Sequence, residues 1–212
     1  MDLEASCPRC GSSLGTTDQG AAACALHGVV VPFWRPAVVD YEALTDILRL
    51  TDPVPTYLPW PLGPGWSVSD VGAVGGATPG SGVASVTRIV GSTALDSSVE
   101  MTVISEDPGV GLGAHCAGVA AVDPGAELTA DAPTIKVRAG GRAVPLWALE
   151  PVDDAPLTRA AFVGEAEGRW LWVVVRPAAA ALLMSDDWLL VDVTGMGPEA
   201  LEMPFGGDRG EW

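Results

Sequence analysis

The stretch Gly168-Arg169-Trp170-Leu171-Trp172-Val173-Val174-Val175 is the strongest strand signal of this 212-residue chain and decides the fold that we predict. It is rich in aromatic and β-branched residues, which suit the pleated, half-buried surface of a sheet. Residues 160–164 precede it and are predicted to be its hairpin partner. The pair indicates antiparallel strand order.

Further strand segments extend this pattern outward in both directions. They are separated by Gly-, Ser- and Asp-containing turns, and Gly140 and Gly141 can supply the positive φ angles of a tight hairpin turn. Because strands outnumber helices and follow one another as hairpins, we predict an α+β fold with a largely antiparallel sheet. The predicted strands comprise residues 83–90, 99–104, 135–138, 142–149 and 188–193.

Two helices are predicted. Asp40 can cap a segment in which apolar residues recur at helical spacing over residues 41–48, and Pro53 follows that segment. The second helix would begin with Pro177 in its first turn and continue through residues 178–184.

Two motifs near the N-terminus, Cys7-Pro8-Arg9-Cys10-Gly11 and Cys24-Ala25-Leu26-His27-Gly28, have the spacing of metal-binding knuckles. In each motif two ligands lie three positions apart with a glycine directly after them, so that a tight turn can direct both ligands at one ion. The four ligands Cys7, Cys10, Cys24 and His27 predict a tetrahedral Zn²⁺ site. Four protein ligands leave no coordination position open, so this zinc is expected to fold the segment rather than to catalyse a reaction.

Other interpretations of these cysteines are weaker. Cys7 and Cys10 could form a redox pair, but no βαβ pattern surrounds them and the second motif would stay unexplained. A disulfide framework is disfavoured because the four cysteines are not spread as staples and Cys116 lies far from the others. Within the zinc interpretation two alternatives stay open. The ribbon either packs only on its own domain or also binds a partner protein.

The predicted organisation has four parts. A zinc ribbon spans residues 1–35, a helix and a Pro/Trp-rich linker strap span 36–66, a β-rich α+β domain spans 67–205, and 206–212 is expected to be a frayed tail. The strap is too rich in proline for regular structure, so we expect it to lie extended with Trp60 and Trp66 packed down. The predicted fold class is therefore a small N-terminal zinc ribbon plus a β-rich, largely antiparallel domain with few helices.

The charge of the chain bears on its partners. Eleven Lys and Arg against 27 Asp and Glu give a net charge of −16, which repels phosphate backbones and anionic lipid surfaces. The ribbon alone has three carboxylates and two arginines, so it carries no basic patch, and nucleic acid is not expected as a partner. A protein, possibly a second copy of the chain itself, is the expected partner.

The location is predicted from the same composition. The N-terminus has neither a basic cluster nor an apolar run, and the longest apolar stretch, residues 170–184, is interrupted and too short for a membrane span. We therefore expect a cytoplasmic protein, since a reducing compartment also suits zinc-bound thiolates and an unpaired Cys116.

A glycine-rich segment resembles a phosphate-binding loop at first sight. Glu106 and Asp107 precede the alternating glycines Gly109, Gly111 and Gly113. Neither the dinucleotide fingerprint nor the phosphate loop is matched, because the last expected glycine is replaced, no lysine follows and two carboxylates lie beside the loop. A glycine-dependent turn or a close strand crossing is the favoured interpretation.

A catalytic pair at His115 and Cys116 is not expected. If the segment is a strand, the two side chains point to opposite faces, and Cys116 then serves as a small buried apolar residue. With His27 assigned to zinc, His115 is the one remaining histidine for acid–base chemistry.

The chain contains eight tryptophans, compared with three phenylalanines and two tyrosines. Most of the tryptophans are expected in the core. Trp170 and Trp172 share one face of their strand. If that face is open to solvent, they form an aromatic platform for a ligand or partner; if not, they are core.

Several strings in the chain resemble those of a protein family. They are C-P-R-C-G at 7–11, P-W-P-L-x-x-G-W at 59–66, G-V-G-L-G-A at 109–114, P-L-W at 145–147 and F-V-G-E-A-x-G-x-W-L-W at 162–172. Together they resemble an uncharacterised actinobacterial family, a domain of unknown function with an N-terminal CPxCG zinc ribbon. The resemblance spans nearly the whole chain and implies a cytoplasmic location and a zinc ribbon, but no catalytic residue.

Two functions remain open. The first is a non-enzymatic interaction or scaffold module that presents the ribbon, the strap and a tryptophan face to another protein. The second is a small-molecule-binding enzyme or sensor with Glu106 and Asp107 at the mouth of a Trp-lined pocket near loop 106–114.

Overall fold

The computed structural model describes residues 2–92, 98–125, 128, 132–150, 158–183 and 188–210. Within these residues the chain is rich in strands, contains two α-helices, and forms one large and one small sheet. The predicted β-rich, mostly antiparallel fold with few helices is confirmed.

The large sheet has eleven strands in the described residues, and every neighbouring pair is antiparallel except β10 and β14. In spatial order the strands are β1 (Leu3–Ser6), β5 (Phe33–Pro36), β7 (Ser67–Gly75), β8 (Gly82–Ser92), β9 (Ser98–Glu106), β13 (Arg169–Arg176), β12 (Ala160–Ala166), β11 (Arg142–Leu149), β10 (Ile135–Ala139), β14 (Leu189–Asp192) and β6 (Tyr57–Pro59). The small sheet consists of β2 (Gly15–Thr16), β3 (Ala22–Cys24) and β4 (Gly28–Val29) in that order.

Strand β13 is buried on both faces, which explains its nearly continuous apolar sequence. Leu171, Val173 and Val175 belong to the main core, whereas Trp172 and Val174 belong to a second core on the opposite face. Successive side chains of a strand point to opposite faces, so two cores need apolar residues at both odd and even positions.

Helix α1 (Tyr41–Thr51) packs on the main core. The Asp40 side chain accepts a hydrogen bond from the backbone N–H of Ala43 at 2.8 Å, as expected of an N-cap. Leu44, Ile47 and Leu50 are buried on one side of the helix. The predicted first helix is thus α1, three residues longer at its end.

The predicted second helix is instead a 3₁₀ helix at Ala178–Leu183, and Met184 of that prediction lies outside the described residues. 3₁₀ geometry is typical of short helical pieces, and this helix has six residues.

The linker strap is more regular than its prolines indicated. Residues 57–59 form β6, which pairs with β14 and also lies against β8. The Thr87 hydroxyl donates a hydrogen bond to Tyr57 O, and the Ser85 hydroxyl donates one to Pro55 O, both at 2.7 Å. A strap with prolines can serve as an edge strand because an edge strand needs only one row of backbone hydrogen bonds.

The expected frayed tail is attached to the sheet up to the last described residue, Gly210. Gly206 N donates to Val68 O at 3.0 Å, and the buried Arg88 donates to Gly210 O at 2.7 Å. Arg209 reaches Ala37 O and the buried carboxylate of Asp70. Residues 209–210 thus supply polar partners to Arg88 and Asp70, two charged groups that the sheet buries. Residues 211–212 lie outside the described residues.

The N-terminal residues belong to both sheets. Strands β1 and β5 pair with each other and β5 pairs with β7, so the large sheet begins inside the predicted ribbon, and the boundary at residue 35 falls within β5. The small sheet is inserted between β1 and β5. The division into four parts stays a prediction.

Candidate metal centre

The four predicted ligands lie together. The ligand atoms of Cys7, Cys10, Cys24 and His27 are all within 4.8 Å of one another. Cys7 Sγ is 3.5 Å and Cys24 Sγ is 3.6 Å from His27 Nδ1, while Cys10 Sγ is 3.6 Å from Cys24 Sγ.

These distances can be compared with the edges of a zinc tetrahedron. A zinc ion about 2.3 Å from each sulfur places two sulfurs of a regular tetrahedron about 3.8 Å apart, and sulfur and nitrogen slightly closer. Three of the six separations, at 3.5 to 3.6 Å, are close to those edges, and the ligand atoms all lie within 4.8 Å of one another. Three thiols and one imidazole are also the donor set that zinc prefers, so the residues fit a zinc ion.

The local backbone explains how the two motifs converge. In the first motif, Gly11 N donates to Cys7 O at 2.8 Å, and Gly11 has a φ of 68°. In the second motif, Cys24 ends β3 and Gly28 begins β4 with a φ of 69°. Glycine adopts these positive φ angles without strain, so the backbone can turn sharply after the second ligand of each motif.

The two thiols of the first motif have opposite pKa shifts. Burial raises the pKa of the Cys7 thiol to about 11. For Cys10, burial also acts to raise the pKa, but hydrogen bonds with the side chain and backbone of Ser12 outweigh it and lower the pKa to about 6. A thiol must lose its proton to bind zinc, so zinc binding at these cysteines would release protons.

Arg9 joins the metal centre to the glycine-rich loop. Its Nε donates to Val110 O at 3.1 Å and its Nη2 donates to Gly109 O at 2.6 Å. The guanidinium fork therefore fixes the first knuckle to the large sheet through the loop that follows β9.

The glycine-rich loop is a structural turn into helix α2 (Leu112–Ala117). The buried carboxylate of Glu106 accepts hydrogen bonds from Leu112 N at 2.9 Å and from Gly113 N at 3.2 Å. Gly109 and Gly111 have φ angles of 87° and 86°. A Cβ on Gly113 would lie 2.2 Å from the Trp172 ring, so this glycine permits a close crossing.

The two acidic residues before the loop differ in their surroundings. Desolvation raises the pKa of Glu106 to about 7, although the amide hydrogen bonds oppose this shift. Asp107 is half-buried and forms an ion pair with Arg169 at 2.9 Å. The backbone of α2 thus engages the carboxylate of Glu106.

The tryptophans of the alternative pocket are packed in two different cores. Trp172 is fully buried and Trp170 packs beside it in the second core, so the pair does not form a solvent-open platform. Trp60 and Trp66 pack against the main core on the other face of the sheet. Trp172 is fully buried, whereas Trp60, Trp66 and Trp170 are partly buried against the two cores.

His115 and Cys116 lie in helix α2 and not in a strand as supposed. Cys116 is buried in the second core, and this burial raises the pKa of its thiol to about 12. A neutral, desolvated thiol matches the predicted role as a small apolar residue.

A further surface combines exposed apolar residues near the second ligand motif with a neighbouring groove. Leu26, Val29 and Val31 are 77%, 69% and 43% exposed on the ribbon. A groove of about 390 Å³ separates residues 29–31 from the loop after β9 and is lined largely by valines and prolines. Three consecutive valines at 29–31 are the sequence signal of this surface.

Among the described residues, every helix is too short or too polar to cross a bilayer. Comparison with curated proteins and with solved structures finds no match. A family profile, in contrast, matches residues 1–209, almost the whole chain that carries the knuckles, the loop and the sheet. The chain therefore belongs to a family of unknown function, DUF6758.

Proposed function

We propose that the chain is a cytoplasmic, non-enzymatic protein-interaction module in which a structural zinc ion holds an N-terminal ribbon against the large sheet. The observation that carries this proposal is the exposure of Leu26. This residue lies between the ligands Cys24 and His27, yet 77% of it faces solvent. Two ligands that bind one ion hold the backbone on both sides of Leu26, so the Cα–Cβ bond of Leu26 keeps one direction relative to the metal centre.

Exposed apolar residues beside a rigid site are typical of binding surfaces. Leu26, Val29 and Val31 occur within six positions of one another, and such clusters on a protein surface mark contacts with other molecules. Because the zinc centre orders this surface before binding, association would lose less conformational entropy than with a flexible hairpin. The zinc supplies cross-linking of the two knuckles and no chemistry on a substrate.

The alternative enzyme or sensor receives less support from the geometry. Glu106 already accepts hydrogen bonds from two backbone amides of α2, and the described lining of the groove beside Asp107 contains no tryptophan. None of the four cysteines forms a disulfide, which supports a reducing compartment such as the cytoplasm.

The proposal is tested by affinity capture from native extract with three zinc-loaded proteins: wild type, Leu26→Ser and Leu182→Ser. Leu182 is 91% exposed and lies on the 3₁₀ helix after β13, so its substitution is the matched control. We expect one protein to co-purify in constant ratio with wild type and with Leu182→Ser, and at least tenfold less of it with Leu26→Ser. Equal capture by all three proteins, or capture of a small molecule alone, would contradict the proposal.

A further inference from the structure

We propose that the free edge of β4 receives an extended apolar segment of a basic partner protein, which adds to the small sheet as a fourth strand. This inference rests on the proposed function and specifies how the partner is held.

The backbone register of the ribbon hairpin leaves one edge of β4 open. Val30 N donates to Ala22 O at 3.1 Å, and the neighbouring pair is Ala23 and Val29. Hydrogen-bonded and non-hydrogen-bonded pairs alternate in an antiparallel ladder, so the N–H and C=O of Val29 point away from β3. Among the described residues no strand pairs with that edge. It therefore offers one donor and one acceptor to an incoming strand.

The groove beside this edge can take the side chains of such a strand. Residues 29–31 form one wall, and Val83, Pro108 and Val110 line the other. A strand directs every second side chain to the same face. An incoming strand could pair with Val29 and at the same time place alternate apolar side chains in the groove of about 390 Å³.

The edges of the large sheet are less suited to strand addition. On β6, Tyr57 O already accepts the Thr87 hydroxyl, and β6 lies against β8. On the other edge, β1 presents the exposed carboxylate of Glu4, and charged residues on edges oppose pairing. The β4 edge, in contrast, is flanked by exposed valines.

Charge decides between a basic partner and a second copy. The charged residues in the groove, Arg9 and Asp107, have opposite signs, so the groove lining itself favours neither a basic nor an acidic segment. The whole chain carries −16, which attracts a segment flanked by Lys or Arg and repels another copy of the same chain.

The test uses the full-length, zinc-loaded protein and two fluorescent octapeptides, one alternating Lys and Val and one alternating Glu and Val. By fluorescence anisotropy at low salt we expect the Lys-Val peptide to bind at least tenfold more tightly than the Glu-Val peptide. With saturating Lys-Val peptide, hydrogen exchange of the Val29 amide should slow at least tenfold. The Val30 amide already donates to Ala22 O and serves as the internal control with little change.

Variants locate the binding on the surface. Val31→Lys should weaken Lys-Val binding at least tenfold while the protein keeps one zinc per chain. Leu182→Lys makes the same charge change at an exposed apolar residue elsewhere and should leave binding within twofold. If Val31→Lys loses its zinc, its peptide affinity no longer reports on the groove. Protection of the Val29 amide in the wild type then tests strand addition by itself.

An unprotected Val29 amide, or equal affinity for both peptides, overturns strand addition. Concentration-dependent protection of Val29 without peptide, accompanied by dimers in sedimentation, would make a second copy the occupant and overturn the basic partner. If capture from extract depends on Leu26 but Val29 stays unprotected, strand addition fails while the proposed function stands. If capture is independent of the ribbon, the proposed function fails.

Discussion

At the scale of single residues, Glu106 shows how a buried carboxyl group can shape a loop. Its oxygens accept the first N–H groups of α2, which would otherwise be unsatisfied. The same burial makes the charged form of Glu106 unfavourable, and its pKa rises from 4.5 to about 7. Between about pH 4.5 and about pH 7, Glu106 is therefore protonated in the folded protein but ionised in the unfolded chain.

This difference predicts a pH-dependent stability. Where the folded state binds more protons than the unfolded state, the free energy of unfolding falls as the pH rises, here from about pH 4.5 to about 7. The loss from Glu106 is on the order of 3 kcal/mol at most. The free energy of unfolding is measured with urea at pH 5 and pH 8. Glutamine does not titrate, so Glu106→Gln should lose the part of the decrease with pH that comes from Glu106.

The control for this experiment is Glu202→Gln, because Glu202 is an exposed carboxylate. We expect its stability to follow that of the wild type at both pH values. Parallel curves for wild type and Glu106→Gln would show that the carboxyl group titrates normally in the folded protein.

At the scale of elements, helix α1 depends on its cap as well as on its packing. Its apolar side buries Leu44, Ile47 and Leu50 on the main core. The Asp40 side chain satisfies one of the N–H groups that an α-helix leaves free at its start, with a hydrogen bond to Ala43 N at 2.8 Å.

Removal of the cap should destabilise the protein. We expect Asp40→Ala to lower the free energy of unfolding by about 1 kcal/mol, measured by chemical denaturation. Asp46→Ala on the same helix removes only an i,i+3 ion pair with the exposed Arg49, and such surface pairs contribute about 0.5 kcal/mol or less. If both substitutions lower stability equally, the cap is not the cause.

At the scale of the whole molecule, the metal centre and the large sheet are joined but do not share a core. Both apolar cores lie between strands of the large sheet and the segments that pack on it. None of the four ligands belongs to either core. The ribbon is attached through β1, β5 and the Arg9 hydrogen bonds to Gly109 and Val110. Loss of zinc should therefore unfold one part of the molecule and leave the other folded.

Zinc removal tests this separation. The purified protein should contain one zinc per chain, and Cys7→Ser/Cys10→Ser should contain none. Chelation should accelerate amide exchange in residues 7–29 and in the loop at 109–110, while amides of β8, β9 and β13 stay protected. Cys116→Ala is the control and should keep its zinc, since Cys116 lies in the second core. Unchanged metal content in the double variant would refute the site.

The sequence by itself was sufficient for features that depend on near neighbours. The run of Trp, Leu and Val at 170–175 predicted a central strand, the Asp40 cap predicted α1, and the spacing of Cys7, Cys10, Cys24 and His27 predicted which ligands meet. Each of these depends on local backbone geometry that a few residues encode.

Other features were decided by the tertiary structure. Trp172 could have faced solvent or core, and the close approach of α2 to its ring at Gly113 helps to bury it. The proline-rich strap and the glycine-rich tail look irregular in isolation, yet β14 supplies hydrogen bonds to the first, and Arg88 and Asp70 supply partners to the second. These partners are more than 100 positions away along the chain, so the free energy that orders the segments comes from contacts that no local pattern contains.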